Sequence, residues 1–174
     1  MGARPSIALQ RFVRAVDWLS FLGAAFGAAL LLFIAFGVFY EVVARYVFQS
    51  PTEWSLELTG YALVWAGFLG AAYALQLARH VEVDLIVERL SMRASRRLRL
   101  VTDLIAFVFC AVVVRYGISF VHHSYVTDAA SVSPLRVPLF LPELGVPLGI
   151  ALLGLQFLVR ILEGLGLVGS ETDA

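Results

Sequence analysis

Apolar positions along the chain gather into four long runs separated by stretches that carry arginine, proline or acidic residues. The first run extends from Trp18 to Tyr40 without a charge, and the second from Leu58 to Ala78, also uncharged. The third, Leu100 to Val121, is interrupted by Asp103 and Arg115. The fourth, Leu144 to Val159, extends back through the apolar stretch Val137–Leu141. A bilayer core roughly 30 Å thick is crossed by about 20 apolar residues in helical form. Inside lipid the backbone must satisfy its own hydrogen bonds, so each run is read as a helix. The pattern therefore predicts an all-α integral membrane protein. Residues 1–174 form a single four-helix membrane domain, with spans at about 17–44, 55–79, 98–122 and 140–161. Arg4, Arg11 and Arg14 precede the first run as they would in a signal peptide. A signal peptide's apolar core, however, is only about 7–15 residues, so this run is read as a retained helix.

The connections differ in character. Pro51 is expected to end the first helix near Ser50. Between spans two and three, Val83, Ile86, Val87, Leu90, Ala94 and Leu98 recur at helical spacing with arginines on the other face. This predicts a short amphipathic segment at the cytoplasmic surface. Ser91 is placed to cap a new helix running into span three. Residues 124–142 contain Pro134, Pro138 and Pro142 and cannot form one regular helix. No internal repeat is visible, so the inverted-repeat signature of many carriers is missing.

Composition agrees with lipid as the solvent. Hydrophobic residues make up 60% of the chain, charged residues 15%, and the mean hydropathy is +0.87. Soluble domains have about 25% charged residues. Disorder, a nucleic-acid-binding tail and an ordinary secreted enzyme are excluded on this ground. The net charge is zero, which identifies no nucleic-acid or other polyanionic partner. A single cysteine excludes an intrachain disulfide and a CxxC site. The arginines set the orientation. Arg4, Arg11, Arg14, Arg79, Arg89, Arg93, Arg96, Arg97, Arg99 and Arg160 fall on one side, and the opposite loops hold only Arg45 and Arg136. Positive charge marks the cytoplasmic side, so both termini are expected inside. The outer loops then carry Glu53, Glu57, Asp128 and Glu143.

Few residues offer chemistry. Glu41 and Arg45 are four apart and can pair on one helix face, either as an interfacial ion pair or as part of a binding site. Arg115 lies roughly 22 Å along the third helix from Leu100, nearer the outer face than the midplane. Ser119 and His122 continue it as a polar stripe. Two readings remain open for this stripe: an arginine reaching outer headgroups, or a face turned to a partner subunit. His122 and His123 point about 100° apart, and His80 is expected on the other side of the membrane, so no histidine pair suits a haem. Cys110, among Phe107, Phe109 and Val112, reads as a small core hydrophobe. Gly23 and Gly27, and Gly145 and Gly149, form GxxxG spacings that favour close helix packing, and Gly67 and Ala71 extend the pattern. Trp18, Tyr40, Tyr46 and Trp54 fall at interfacial depth, whereas Trp65 sits mid-span, filling a gap between helices or facing lipid. There is no HExxH, GxSxG or P-loop, and no ionisable residue in the central thirds of spans one, two and four. A stand-alone ion-coupled carrier and an intramembrane hydrolase are both disfavoured. The remaining reading is a small helical subunit acting by contact, with no catalytic, metal or cofactor site of its own.

One stretch is more specific. Arg45-Tyr46-Val47-Phe48-Gln49-Ser50-Pro51 is followed by Trp54 and Glu57, then Trp65, then Phe68-Leu69-Gly70-Ala71-Ala72, and His80 and Asp84 close it. This pattern resembles the small membrane subunit of tripartite ATP-independent periplasmic (TRAP) transporters, closely over about residues 40–90 and in outline beyond. The resemblance implies a bacterial inner-membrane system importing small organic acids such as dicarboxylates. In it a periplasmic substrate-binding protein delivers the solute to a large multi-spanning subunit driven by a sodium gradient. The small subunit would anchor that large subunit, here expected as a separate chain. It places Arg45, Pro51, Trp54, Glu57, Trp65, His80 and Asp84 at motif positions, as structural or partner-interface candidates beside Arg115. Local alternatives stay open for these: Glu57 capping span two or pairing with Arg45, and Asp84 capping the amphipathic segment. A different class, the membrane anchor of an oxidoreductase, would require cofactor ligands at matching depth. The histidines do not supply these.

Overall fold

The computed structural model describes residues 7–78 and 92–166. Its helices are α1 (Ile7–Tyr46), α2 (Glu53–Ala78), α3 (Met92–Val126), α4 (Phe140–Glu143) and α5 (Gly145–Gly164). The short α4 leads directly into α5, and together they form one of the four helices long and apolar enough to cross a membrane. The described residues contain no strand, only an isolated bridge between Ala130 and Pro138. The amphipathic stretch expected at 79–91, with Ser91, lies outside the described residues.

α1 and α2 form an antiparallel hairpin joined by a tight turn. In α1 the sheltered positions Val13, Val16, Ser20, Gly23, Gly27, Leu30, Ile34, Gly37, Glu41 and Ala44 alternate steps of three and four. Ser55, Thr59, Ala62, Ala66, Leu69, Tyr73 and Gln76 do the same in α2. This is the 3.5-residue period of helices that coil around each other. Uniformly apolar runs hide such a stripe, because lipid-facing positions are as hydrophobic as packed ones. The stripe is marked instead by small side chains. A Cβ on Gly27 would lie 3.1 Å from the Ala66 carbonyl oxygen.

The helices pack in a row, α1 on α2, α2 on α5 and α5 on α3. α1 touches α5 lightly, and no contact of similar extent joins α3 to α1 or α2. Consequently α5 is the most enclosed span. A third of its apolar stretch is buried (33%), against 11% for α1 and for α3. The outward faces of α1 and α3 carry Leu32, Phe36, Ile105 and Phe109 into the surroundings.

The GxxxG expectation is met at two of its three places. Gly23 lies against Leu69 and Leu152, and Gly145 and Gly149 lie against Trp65 and Phe68. Gly67 instead points outward with nothing within 4 Å of a built Cβ, because α2 meets both of its neighbours on other faces. The α1 helix stops at Tyr46, earlier than Pro51 alone required, because Gln49 takes up the left-handed region (φ 52) in the turn.

The closest approach is between α5 and α2, where a Cβ on Gly149 would sit 2.5 Å from the carbonyl carbon and oxygen of Phe68. Gly149→Leu must push the two backbones apart and is expected to cost about 2 kcal/mol. Thermal unfolding in detergent measures this, and Gly67→Leu, at an open position, is expected to leave the midpoint unchanged.

Candidate functional site

The polar residues resolve into clusters at the two ends of the helix row. At the α1–α2 turn, the buried Glu41 carboxylate is the hub. Its Oε1 accepts from Arg45 Nε (3.0 Å) and Nη2 (2.6 Å). Its Oε2 accepts from the Thr52 backbone N–H (3.0 Å) and from the Thr52 hydroxyl. One carboxylate thus closes the turn and satisfies an N–H at the start of α2, where helical donors have no intrahelical acceptor. Arg45 neutralises it while remaining 45% exposed. The rings of Tyr40 and Trp54 stack across the same turn at 5.7 Å, and Pro51 starts the entry into α2.

Glu57 neither pairs with Arg45 nor caps α2. It accepts from the Tyr61 hydroxyl (2.7 Å) and from the Ser133 hydroxyl. Ser133 lies in the connection between α3 and α4, folded as a small hairpin. There the Ser131 N–H donates to the Val137 carbonyl (2.9 Å) and the Leu139 N–H to the Ala129 carbonyl (2.9 Å). Trp65 ties the same region to α2. Its Nε1 donates to the Leu141 carbonyl (3.2 Å), and its ring lies over Gly145, so it fills a gap between helices. Two motif residues thus hold a connection about 76 residues away in sequence. A pair of serines in a proline-rich loop gives no sequence signal for such a partner.

At the opposite end, α1, α5 and α3 are linked side chain to side chain. Gln156, fully buried, donates to Asp17 Oδ1 (3.1 Å) and Ser20 Oγ (2.8 Å). The Ser20 hydroxyl donates in turn to the Val16 carbonyl (2.9 Å). One turn on, Arg160 lies 3.4 Å from the buried Asp103. Arg96 donates to the Gly164 carbonyl (2.8 Å) at the end of α5. Arg160, read as a flanking cytoplasmic charge, is therefore also a partner of Asp103. Sequence reasoning missed Gln156. The available signal was its position as the one amide in an otherwise apolar run.

Arg115 and His122 are exposed on the face of α3 turned away from α5, and Ser119, also exposed, lines the groove between α3 and α5. Arg115 has no partner among the described residues. Cys110 is buried against Gly154. Glu143, read as an outer-loop acid, instead sits at the end of α4 at a groove between α3 and α5, because Phe140–Glu143 is helical and Leu144, in the right-handed helical region, joins it to α5. Its Oε2 is buried without a hydrogen-bond partner among the described residues, as is Gln76 Oε1. No cluster of metal-ligating residues occurs among the described residues. His80 and Asp84 lie outside them.

Interhelical hydrogen bonds in membrane proteins contribute on average less than 1 kcal/mol each and rarely more than about 1.7. Gln156→Leu removes two and is expected to lower stability by about 1 kcal/mol. A denaturant titration of the detergent-solubilised chain reads this.

Comparison with known proteins agrees with this architecture. The family model of the DctQ component of tripartite ATP-independent periplasmic transporters matches residues 34–166. The chain is 33% identical over 106 residues to the C4-dicarboxylate TRAP transporter small permease protein of Rhodobacter capsulatus, covering 60% of this chain and 46% of the relative. It is 30% identical over 86 residues to a TRAP transporter small permease protein of Haemophilus influenzae, covering 49% and 53%. With the ectoine TRAP transporter small permease protein of Halomonas elongata it shares 25% identity over 136 residues, covering 78% and 69%. The chain spans about half the length of the first two of these relatives. The matched region takes in the last third of α1, all of α2, α3 and α4, and α5 to its end, with the Glu41 hub, the Glu57 and Trp65 ties and Gln156, whose partners Asp17 and Ser20 precede it. The chain therefore belongs to the DctQ component family of TRAP transporters, as a small permease subunit.

Proposed function

We propose that this chain is the non-catalytic scaffold subunit of a sodium-coupled importer of dicarboxylates or related organic acids. It would bind and anchor a separate large membrane subunit in the bacterial inner membrane. Family membership over residues 34–166 is the observation that carries this reading. The geometry supports it in a second way. The buried Glu41 and Gln156 and the half-buried Glu57 are occupied in joining one segment to another. A stiff row of helices is what an anchor needs. A moving transport domain requires a frame whose own helices do not slide, and hydrogen bonds at both ends of the row oppose sliding. Relatives named for C4-dicarboxylate and for ectoine indicate that the solute varies among such systems. Solute choice is therefore assigned to the large subunit and a periplasmic binding protein.

The arginine distribution supports a proposed orientation with both termini in the cytoplasm and the Glu41 and Glu57 clusters on the periplasmic side. In this orientation Trp54 and the 129–139 hairpin face the compartment from which a binding protein arrives.

The central test tags the C-terminus, solubilises native membranes in mild detergent and identifies what co-purifies. A stoichiometric polytopic partner, and solute uptake that needs both this chain and a sodium gradient, are expected. A chain that purifies alone and monodisperse across several mild detergents overturns the reading. Orientation is tested in a Cys110→Ala background. Arg136→Cys is expected to react with an impermeant maleimide in intact cells, and Leu165→Cys only after permeabilisation.

A further inference from the structure

One free edge of the helix row is the outward side of α3 together with the groove beside it. The groove, about 810 Å³, is walled by apolar residues that include Val112, Phe120, Val146 and Pro147, and His123 and Glu143 also line it. Glu143 Oε2 is buried and has no hydrogen-bond partner among the described residues. A carboxylate oxygen kept from water in an apolar cleft is costly unless something donates to it. On the adjoining edge, Arg115 is exposed and unpaired among the described residues, in line with Ser119 and His122. Arg115 points away from the row, and Ser119 beside it lines the groove. Gly117 meets Pro147 of α5, and Arg115 stands roughly 200° of helical rotation from Gly117. Arg115 also lies inside the third apolar run, nearer its outer face than its midplane, where a charge without a partner marks a candidate contact. An acid lining the groove and a base on the adjoining edge thus each lack a counterpart among the described residues.

We infer that this groove and the Arg115 edge seat a helix of the large membrane subunit, which brings a basic side chain to Glu143 and an acidic one to Arg115. The inference rests on the proposed function above. Charge complementarity selects this occupant over two others. An acyl chain would fill the apolar wall but offers Glu143 no donor. A second copy of this chain, inserted in the same orientation, would be related by an axis along the membrane normal. Packing α3 against its copy would then set Arg115 opposite Arg115 at equal depth, and like charges in lipid repel strongly. A different chain is free to present the opposite charges, and such pairs set partner choice and register.

The test uses the intact complex in cells. A photo-crosslinking amino acid in place of Phe120 is expected to give an adduct with the large subunit. Glu143→Gln, close in size but neutral, is expected to reduce the co-purified large subunit about ten-fold or more. Glu143→Asp, which keeps the charge, is expected to retain most of it. The elution profile of the isolated Gln variant shows whether the chain itself still folds. Should it not, the Phe120 adduct in the otherwise unaltered chain decides. An adduct only with lipid or with a second copy, or undiminished co-purification of a folded Gln variant, overturns the inference. If the unaltered chain co-purifies with the large subunit but Phe120 gives no adduct, this inference alone fails. If it does not co-purify at all, the proposed function fails and this inference with it.

Discussion

The approach of Gly149 to the backbone of Phe68 sets the distance between α5 and α2, and the rest of the row is built outward from that pair. Lipid offers helices no hydrophobic reason to associate, because a leucine is equally well solvated by an acyl chain. What remains is close van der Waals contact and a small number of directed polar bonds. Small residues supply the first at successive depths: Gly27 on Ala66, Gly145 under Trp65 and Cys110 on Gly154. With α5 seated this closely on α2, α3 packs on the other side of α5 and α1 along α2. The result is a row, with the central helix enclosed and the outer two open.

Small-residue contacts allow neighbouring helices to slide, and the polar clusters remove that freedom. The Glu41 hub holds the turn between α1 and α2 by taking bonds from Arg45 on one oxygen and Thr52 on the other. Glu57 and Trp65 bind the α3–α4 connection to α2 at the same end. Gln156 with Asp17 and Ser20, and Arg160 with Asp103, do the equivalent work at the far end. Each bond is modest, but they act on different helix pairs and at both membrane depths, so a shift of one helix would break several together. A family member whose proposed task is to stay still beside a moving partner has good use for such an arrangement.

Against that background, the groups left without partners are informative. Most polar side chains inside the row are matched within the chain, whereas Gln76 Oε1, Glu143 Oε2 and Arg115 are not matched among the described residues. The two ionisable ones, Glu143 and Arg115, lie at the α3 edge, where the row stops, and Gln76 lies in α2. The opposite edge, along α1, presents Trp18, Leu32 and Phe36, side chains that lipid solvates without cost. The two edges therefore differ in chemistry, one suited to bilayer and the other calling for complementary charge.

Hydrophobic length alone determined that the chain would form helices able to cross a membrane, because backbone groups in lipid leave the chain no other choice. The motif from Arg45 through Ala72 identified the family for the same kind of local reason: its residues lie close together in sequence, and so do several of their jobs, such as the Arg45–Glu41 pair one turn apart. Which apolar residues face neighbours and which face lipid was not legible, since both surroundings accept the same side chains. Gly27 and Gly67 look alike in sequence, yet one is pressed against Ala66 and the other faces open space. The partners of Glu57, Trp65 and Gln156 were equally hidden, because each bond spans a large sequence separation and depends on the order in which the helices line up. Those pairings, and the unmatched charges at the α3 edge, were decided only when tertiary packing brought distant depths of the chain together.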